Sequence, residues 1–160
     1  MLNPYSGYEE RLCRRSTLSA TLATPGPSSE VDCNYPIPSE GCIFSECVVV
    51  FRGPHEQYKK LEQWYDLPVV SVPAARWPKL SNMGTKYAFD VERSMVRNKI
   101  RAALTVCAYY GYRDLVIGDL GLGNSYRNPP VELAELWREV FLWDPDFRGR
   151  FDYVSCLGPL

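Results

Sequence analysis

The 160-residue sequence is 46% hydrophobic and 13% aromatic, enough for one ordinary domain with a real core. Eighteen Lys and Arg against 19 Asp and Glu leave a formal net charge of -1, which offers neither a basic field for nucleic acid nor an acidic tail. No apolar run reaches the roughly 20 residues that cross a bilayer, and MLNPYSGYEERLCRR lacks the apolar centre of a signal peptide. An intracellular protein, cytoplasmic or nuclear and without a membrane or nucleic-acid partner, is the expectation.

Six cysteines, Cys13, Cys33, Cys42, Cys47, Cys107 and Cys156, are scattered without a C-x-x-C pair, and His55 is the only histidine. This is no zinc pattern, and no metal or redox cofactor is expected. In a reducing compartment the thiols stay reduced, several of them as small core residues.

In chain order, Met1 to Gly7 reads as loop. From Tyr8 to Leu22 the apolar residues Leu12, Leu18 and Leu22 recur at roughly helical spacing, which predicts one helix. Glu9 and Glu10 fall in its first turn, where the helix dipole favours carboxylates, so plain surface charge accounts for the pair as readily as chemistry does. Pro25 to Pro38 reads as loop.

Ile43 to Phe51, with Val48, Val49 and Val50 in succession, predicts a strand covered on both faces. His55 to Tyr65 is read as a short helix and Leu67 to Val72 as a second buried strand, ended by Pro73. His55 beside Pro54 has no cysteine or serine partner that would make a triad. The longest helix is predicted over Tyr87 to Tyr110, with Val96, Ile100, Ala103, Leu104 and Cys107 on one stripe and Gly111 as its C-terminal stop.

The stretch RDLVIGDLGLGNSYRNPP, Arg113 to Pro130, then reads as strand, ligand loop and helix start. Leu115, Val116 and Ile117 suit a strand covered on both faces. Gly118, Gly121 and Gly123 permit positive φ and let the backbone approach a bound group. Asn128 is placed to cap a helix whose first positions, Pro129 and Pro130, have no N–H to lose. Free amides beside a helix N-terminus suit an anion, most often phosphate.

The glycines have the spacing of a nucleotide-triphosphate loop, but Asn124 stands where its lysine would be, and G-x-x-G-x-G is not the dinucleotide order G-x-G-x-x-G. A glycine-rich turn that binds nothing is the plain alternative. The following helix runs to about Trp143, with Leu133, Leu136, Trp137, Val140 and Phe141 inward and Glu132, Glu135 and Glu139 outward. Pro145 ends it, and Phe151 to Leu157 is a last strand. Trp137 and Trp143 are read as core or rim packing. Alternating helices and strands make an α/β layered fold, with the loop after Ile117 at a strand C-terminal end, where such sheets bind ligands.

The run KIRAALTVCAYYGYRDLVIGDLGLGNSYRNPPVELAELW, Lys99 to Trp137, resembles the C-terminal half of the microbial-type poly(ADP-ribose) glycohydrolases, a macrodomain-like family. YEERLCRRSTL resembles the start of that family's catalytic helix, and YPIPSEGCIFSECVVVFRG its tyrosine-proline loop and buried strand. GLGNSYRNPP resembles its diphosphate loop, and the order and spacing of the pieces agree. The family's signature has a glycine triplet followed by Gln-Glu-Glu; here the segment reads LNPYSGYEE, with Tyr8 in the place of the glutamine.

The resemblance implies a single macrodomain-like domain over residues 1–160, a mixed sheet flanked by helices in a three-layer sandwich, with the family's N-terminal part outside this sequence. It implies Glu10 as the catalytic carboxylate and Glu9 as a residue that helps hold the distal ribose. Gly118, Gly121, Leu122, Gly123, Asn124 and Ser125 would lie along the diphosphate, and Tyr126 would pack near the ligand. The implied activity is hydrolysis of the glycosidic ribose bond of poly(ADP-ribose) or of protein-linked ADP-ribose, without a cofactor. The alternatives are an ADP-ribose-binding module that no longer hydrolyses anything and a fragment of the family, with or without a partner that completes the sheet.

Overall fold

The computed structural model describes residues 8–27, 29–54, 57–123 and 126–157. The chain divides into two compact units, one formed by Met1–Ile37 and Ile43–Ser71, the other by Pro38–Cys42 and Val72–Leu160.

In the first unit two short helices, α1 (Tyr8–Arg15) and α2 (Leu18–Ala23), accompany an antiparallel pair, β1 (Ile43–Arg52) and β2 (Lys60–Ser71). The single helix predicted from Tyr8 to Leu22 is therefore broken at Ser16–Thr17. The Thr17 N–H donates to the Val49 carbonyl at 3.0 Å, and the Val49 N–H donates to Thr17 Oγ1 at 3.0 Å. The Ser16 hydroxyl donates to the Leu12 carbonyl and accepts the Leu18 N–H, which closes one helix and opens the next. Short hydroxyl side chains offer the backbone these alternatives to continued helix. Leu18, Leu22 and Val48 form the buried centre, with Leu12, Cys13, Ile43 and Val69 against it.

The helix expected over His55–Tyr65 is not there: from Lys60 the chain is strand, and His55 itself lies outside the described residues. The Gly53 N–H donates to the Lys59 carbonyl at 2.8 Å and turns the chain back, after which Tyr65 pairs with Val50 and Val69 with Ser45. Pro68 falls where the β1–β2 register shifts, between the Val48–Leu67 and Ser45–Val69 pairs, a place where a strand tolerates proline. The middle of β2 is exposed rather than buried.

The second unit is built on α3 (Asp90–Tyr109) and α4 (Pro130–Trp143). Val96, Ile100 and Leu104 of α3 meet Leu133, Leu136 and Val140 of α4, and Ala75, Tyr87 and Phe147 complete the core. Gly111, at φ +76°, ends α3 as the sequence predicts: its N–H donates to Ala108 and the Tyr112 N–H reaches back to Cys107. A two-residue hairpin, β3 (Leu80–Ser81) with β4 (Lys86–Tyr87), precedes α3. β5 (Asp114–Ile117) pairs in parallel with β6 (Tyr153–Cys156), and α4 lies between them in sequence, a strand–helix–strand unit.

The fold is thus α/β with parallel and antiparallel ladders, in accord with the sequence reading. The expectation that β5 is covered on both faces fails among the described residues: Leu115 packs against the core while Val116 is 68% exposed. An apolar run reports strand preference and not how many layers cover it.

Glu132, expected to point outward, is buried, accepts the Tyr87 N–H and pairs with Arg93 Nε at 3.1 Å. Asp144, after α4, is also buried between Arg97, at 2.9 Å, and Arg101. Burial alone would raise its carboxyl, but Arg101, the Asp146 N–H and Arg97 together hold it below the usual carboxylate range. Asp144→Asn is expected to cost about 2–3 kcal/mol, since Arg97 loses its carboxylate partner and Arg101 keeps only Asp146, at 2.7 Å. A carboxyl depressed on folding contributes fully above its unfolded value of about 3.9 and loses that contribution as pH falls through the lower folded value. Thermal melts should therefore show a constant gap between wild type and variant above about pH 5, closing in stronger acid.

Candidate functional site

The loop between β5 and α4 is held by one buried side chain. Asn128 Nδ2 donates to the Ala75 carbonyl at 2.8 Å and to the Gly121 carbonyl at 3.1 Å, and Asn128 Oδ1 accepts the Tyr87 hydroxyl at 2.9 Å. Its own N–H also donates to the Gly121 carbonyl. The predicted helix cap is therefore a loop latch, and Pro129 occupies the cap position of α4 without a side-chain bond.

Tyr87 is tied at both ends, its N–H to Glu132 and its hydroxyl to Asn128. Burial, then Glu132 and Glu92, push the phenol well above its ordinary value, so it stays protonated and remains a donor. Arg93, Glu132, Tyr87 and Asn128 make one chain of polar contacts from α3 to the loop. Such a chain, fully satisfied and buried, fixes a geometry more firmly than its separate bonds do.

Gly121 sits at φ +84° and is buried; a Cβ there would stand 2.6 Å from Asn128 Nδ2 and 2.7 Å from the Ala74 Cβ. Gly118 and Gly123 have open space where a side chain would go. Among the described residues their amides, and that of Gly121, donate to no backbone carbonyl, whereas those of Leu122, Tyr126 and Arg127 are spent on turns within the loop. The amides of Asp119 and Leu120 likewise donate to no backbone carbonyl among the described residues, so the glycines share the unspent N–H groups of the loop with these two residues, while the N–H groups of Leu122 and Tyr126 are already used. Tyr126 is 38% exposed. Asn124 and Ser125, also predicted as ligand residues, lie outside the described residues.

Beside the loop stands Trp77, whose N–H donates to the Tyr126 carbonyl at 2.9 Å and whose ring lies 4.3 Å from the guanidinium carbon of Arg127. Sequence reasoning missed Trp77, Arg127 and the latch role of Asn128. N-P-P signalled a helix start, and nothing local announced that residues 75–77 lie against it.

Glu9 and Glu10 stand together in the first turn of α1, both exposed, as predicted. One turn on, partial burial and then Glu9 and Glu10 raise the Cys13 thiol, which stays protonated. Partial burial and then the Glu9 charge shift the phenol of Tyr35, in the tyrosine-proline loop, upward. Among the described residues no group of three or more His, Cys, Asp or Glu is placed to hold a metal ion, and no helix is long and apolar enough to cross a membrane. A hollow of about 480 Å³ between Ser39–Glu40 and the N-terminal half of α3 includes none of the predicted site residues.

No family model matches the chain, and no curated protein does. Solved structures do. The chain is similar to poly(ADP-ribose) glycohydrolase from Thermomonospora curvata bound to the inhibitor ADP-HPD, with 25% identity and a TM-score of 0.74 over 96% of this chain and 56% of that one. A second structure of the Thermomonospora protein matches at 26% identity and a TM-score of 0.63, over 76% of this chain and 42% of that one. The enzyme from Deinococcus radiodurans in complex with ADP-ribose shares the fold, with a TM-score of 0.71, 22% identity, and coverage of 100% of this chain and 64% of that one. The chain thus spans a little over half the length of the inhibitor-bound Thermomonospora enzyme. The fold is the macrodomain-like one of these proteins.

Proposed function

We propose that this chain is a member of the microbial-type poly(ADP-ribose) glycohydrolase family, to whose solved structures it is similar, and that it binds ADP-ribose and hydrolyses the glycosidic ribose bond of its polymers or protein conjugates. The observation that carries the reading is the loop of Gly118, Gly121 and Gly123, whose amides donate to no backbone carbonyl among the described residues and whose middle glycine, Gly121, is held through its carbonyl by Asn128. Amides fixed before a ligand arrives stabilise a diphosphate without reorganising. In this reading Asn124 and Ser125 extend the cradle, Tyr126 packs against the bound nucleotide, and Glu9 holds the distal ribose.

Glu10 is the acid. Its carboxyl proton passes to the bridging oxygen as the anomeric C–O bond breaks, and water adds to the oxocarbenium-like carbon and returns a proton to the carboxylate. That ADP-ribose and the inhibitor ADP-HPD are bound in the related structures supports the ligand class.

A second reading is favoured by Tyr8, which stands where the family's signature has glutamine: a module that binds ADP-ribose without turnover. Incubating the purified chain with poly(ADP-ribose) and measuring free ADP-ribose separates the two. Release supports the hydrolase, and binding without release leaves the module.

A further inference from the structure

The glycine loop carries no lysine, so a diphosphate held by amides alone would keep most of its charge uncompensated. We propose that Arg127 supplies that charge, as a cationic arm presented on Trp77 to one phosphate of a diphosphate-bearing ligand. The inference rests on the reading of this loop as a diphosphate site.

The arginines of the second unit are used unequally. Arg93, Arg97, Arg101 and Arg113 are each paired with carboxylates. Arg127 is exposed and, among the described residues, meets neither a carboxylate nor a hydrogen-bond acceptor through its side chain; its guanidinium carbon lies over the Trp77 ring, 4.3 Å from the centroid. A cation–π contact uses no N–H donor, so the guanidinium keeps its N–H groups for a phosphate, which arginine takes through two parallel bonds.

The presentation is held against strain. Arg127 and Trp77 both have left-handed backbones, at φ +61° and +55°, a conformation that costs a non-glycine residue about 1 kcal/mol or more. Three bonds keep them there: the Trp77 N–H to the Tyr126 carbonyl, and the Asn128 amide to Ala75 on one side and Gly121 on the other. An arm fixed in this way loses little freedom on binding. Trp77 is itself 53% exposed, so packing the core does not account for holding it in this backbone conformation.

The full chain and its R127A and R127K variants would be titrated with ADP-ribose, inorganic pyrophosphate and adenosine at low and moderate salt. Arg127→Ala should weaken both anions about tenfold and flatten their salt dependence, with adenosine and the melting temperature unchanged. Arg127→Lys should recover part of the loss, since it keeps the charge without the fork. Equal anion affinity in wild type and R127A would overturn the arm while leaving the loop reading standing. Pyrophosphate bound through Arg127, with no ADP-ribose bound, would keep the arm and overturn the proposed ligand. Wild type that binds no anion would overturn both.

Discussion

Replacing Glu10 with glutamine should lower release of ADP-ribose from polymer by about a thousandfold while leaving affinity for ADP-ribose within about threefold, the separation expected when only proton transfer is removed. Glutamine keeps the size and hydrogen-bonding reach of the side chain but has no proton of suitable acidity to give the departing oxygen. Glu10 is exposed in the first turn of α1, so the substitution breaks no buried contact and the melting temperature should hold. Glu9→Gln differs in kind: as a ribose-holding residue it should weaken binding and turnover together. Equal activity in E10Q and wild type would place the chemistry on another group.

Gly121→Ala should be the most damaging small substitution in the second unit. The new Cβ would meet Asn128 Nδ2 at 2.6 Å, the Ala74 Cβ at 2.7 Å and the Tyr126 Cβ at 3.1 Å, and the backbone would remain at φ +84°. The left-handed conformation costs about 1–2 kcal/mol for a residue with a side chain, and relieving a buried overlap adds about 1–3 kcal/mol. A loss of about 3 kcal/mol corresponds to roughly 10 °C in melting temperature for a chain of this size.

Part of the overlap can be relieved by displacing the Asn128 amide, which would release the loop from Ala75. ADP-ribose binding should then fall by more than tenfold in the molecules that remain folded, as read by calorimetry. Gly118→Ala and Gly123→Ala serve as controls, since open space surrounds both positions; a melting curve for G121A like theirs would contradict the packing argument.

Elements whose signals are local were legible in the sequence. The stripe through Val96, Ile100 and Leu104 and the stop at Gly111 delimit α3 because period and cap both lie within a few residues of what they specify. The ends of α4 and the positions of β5 and β6 followed from apolar runs between Gly and Pro.

What was misread depends on partners far along the chain. Thr17 leaves the helix for Val49, 32 residues on. Lys60 to Tyr65 become strand because β1 offers a ladder, which a helix-like scatter of charges cannot reveal. Glu132 looks like surface on a helical wheel and is buried because Arg93 and the Tyr87 N–H await it.

The site divides in the same way. Gly118, Gly121 and Gly123 pointed to a candidate ligand loop through residue type alone, and the paired Glu9 and Glu10 gained meaning only from the family resemblance. Asn128 looked like a helix cap, which is what asparagine before Pro-Pro usually signals. Its three side-chain partners come from Ala75, Tyr87 and Gly121, and only the first two are remote in sequence. The tryptophan under Arg127 lay in a loop with no pattern to mark it.

The most direct test of the central claim is a calorimetric titration of the folded wild-type chain with ADP-ribose. Saturable binding of one ADP-ribose per chain, lost in G121A, is the predicted result. No heat up to millimolar ligand, from a sample with a sharp thermal transition, would contradict it.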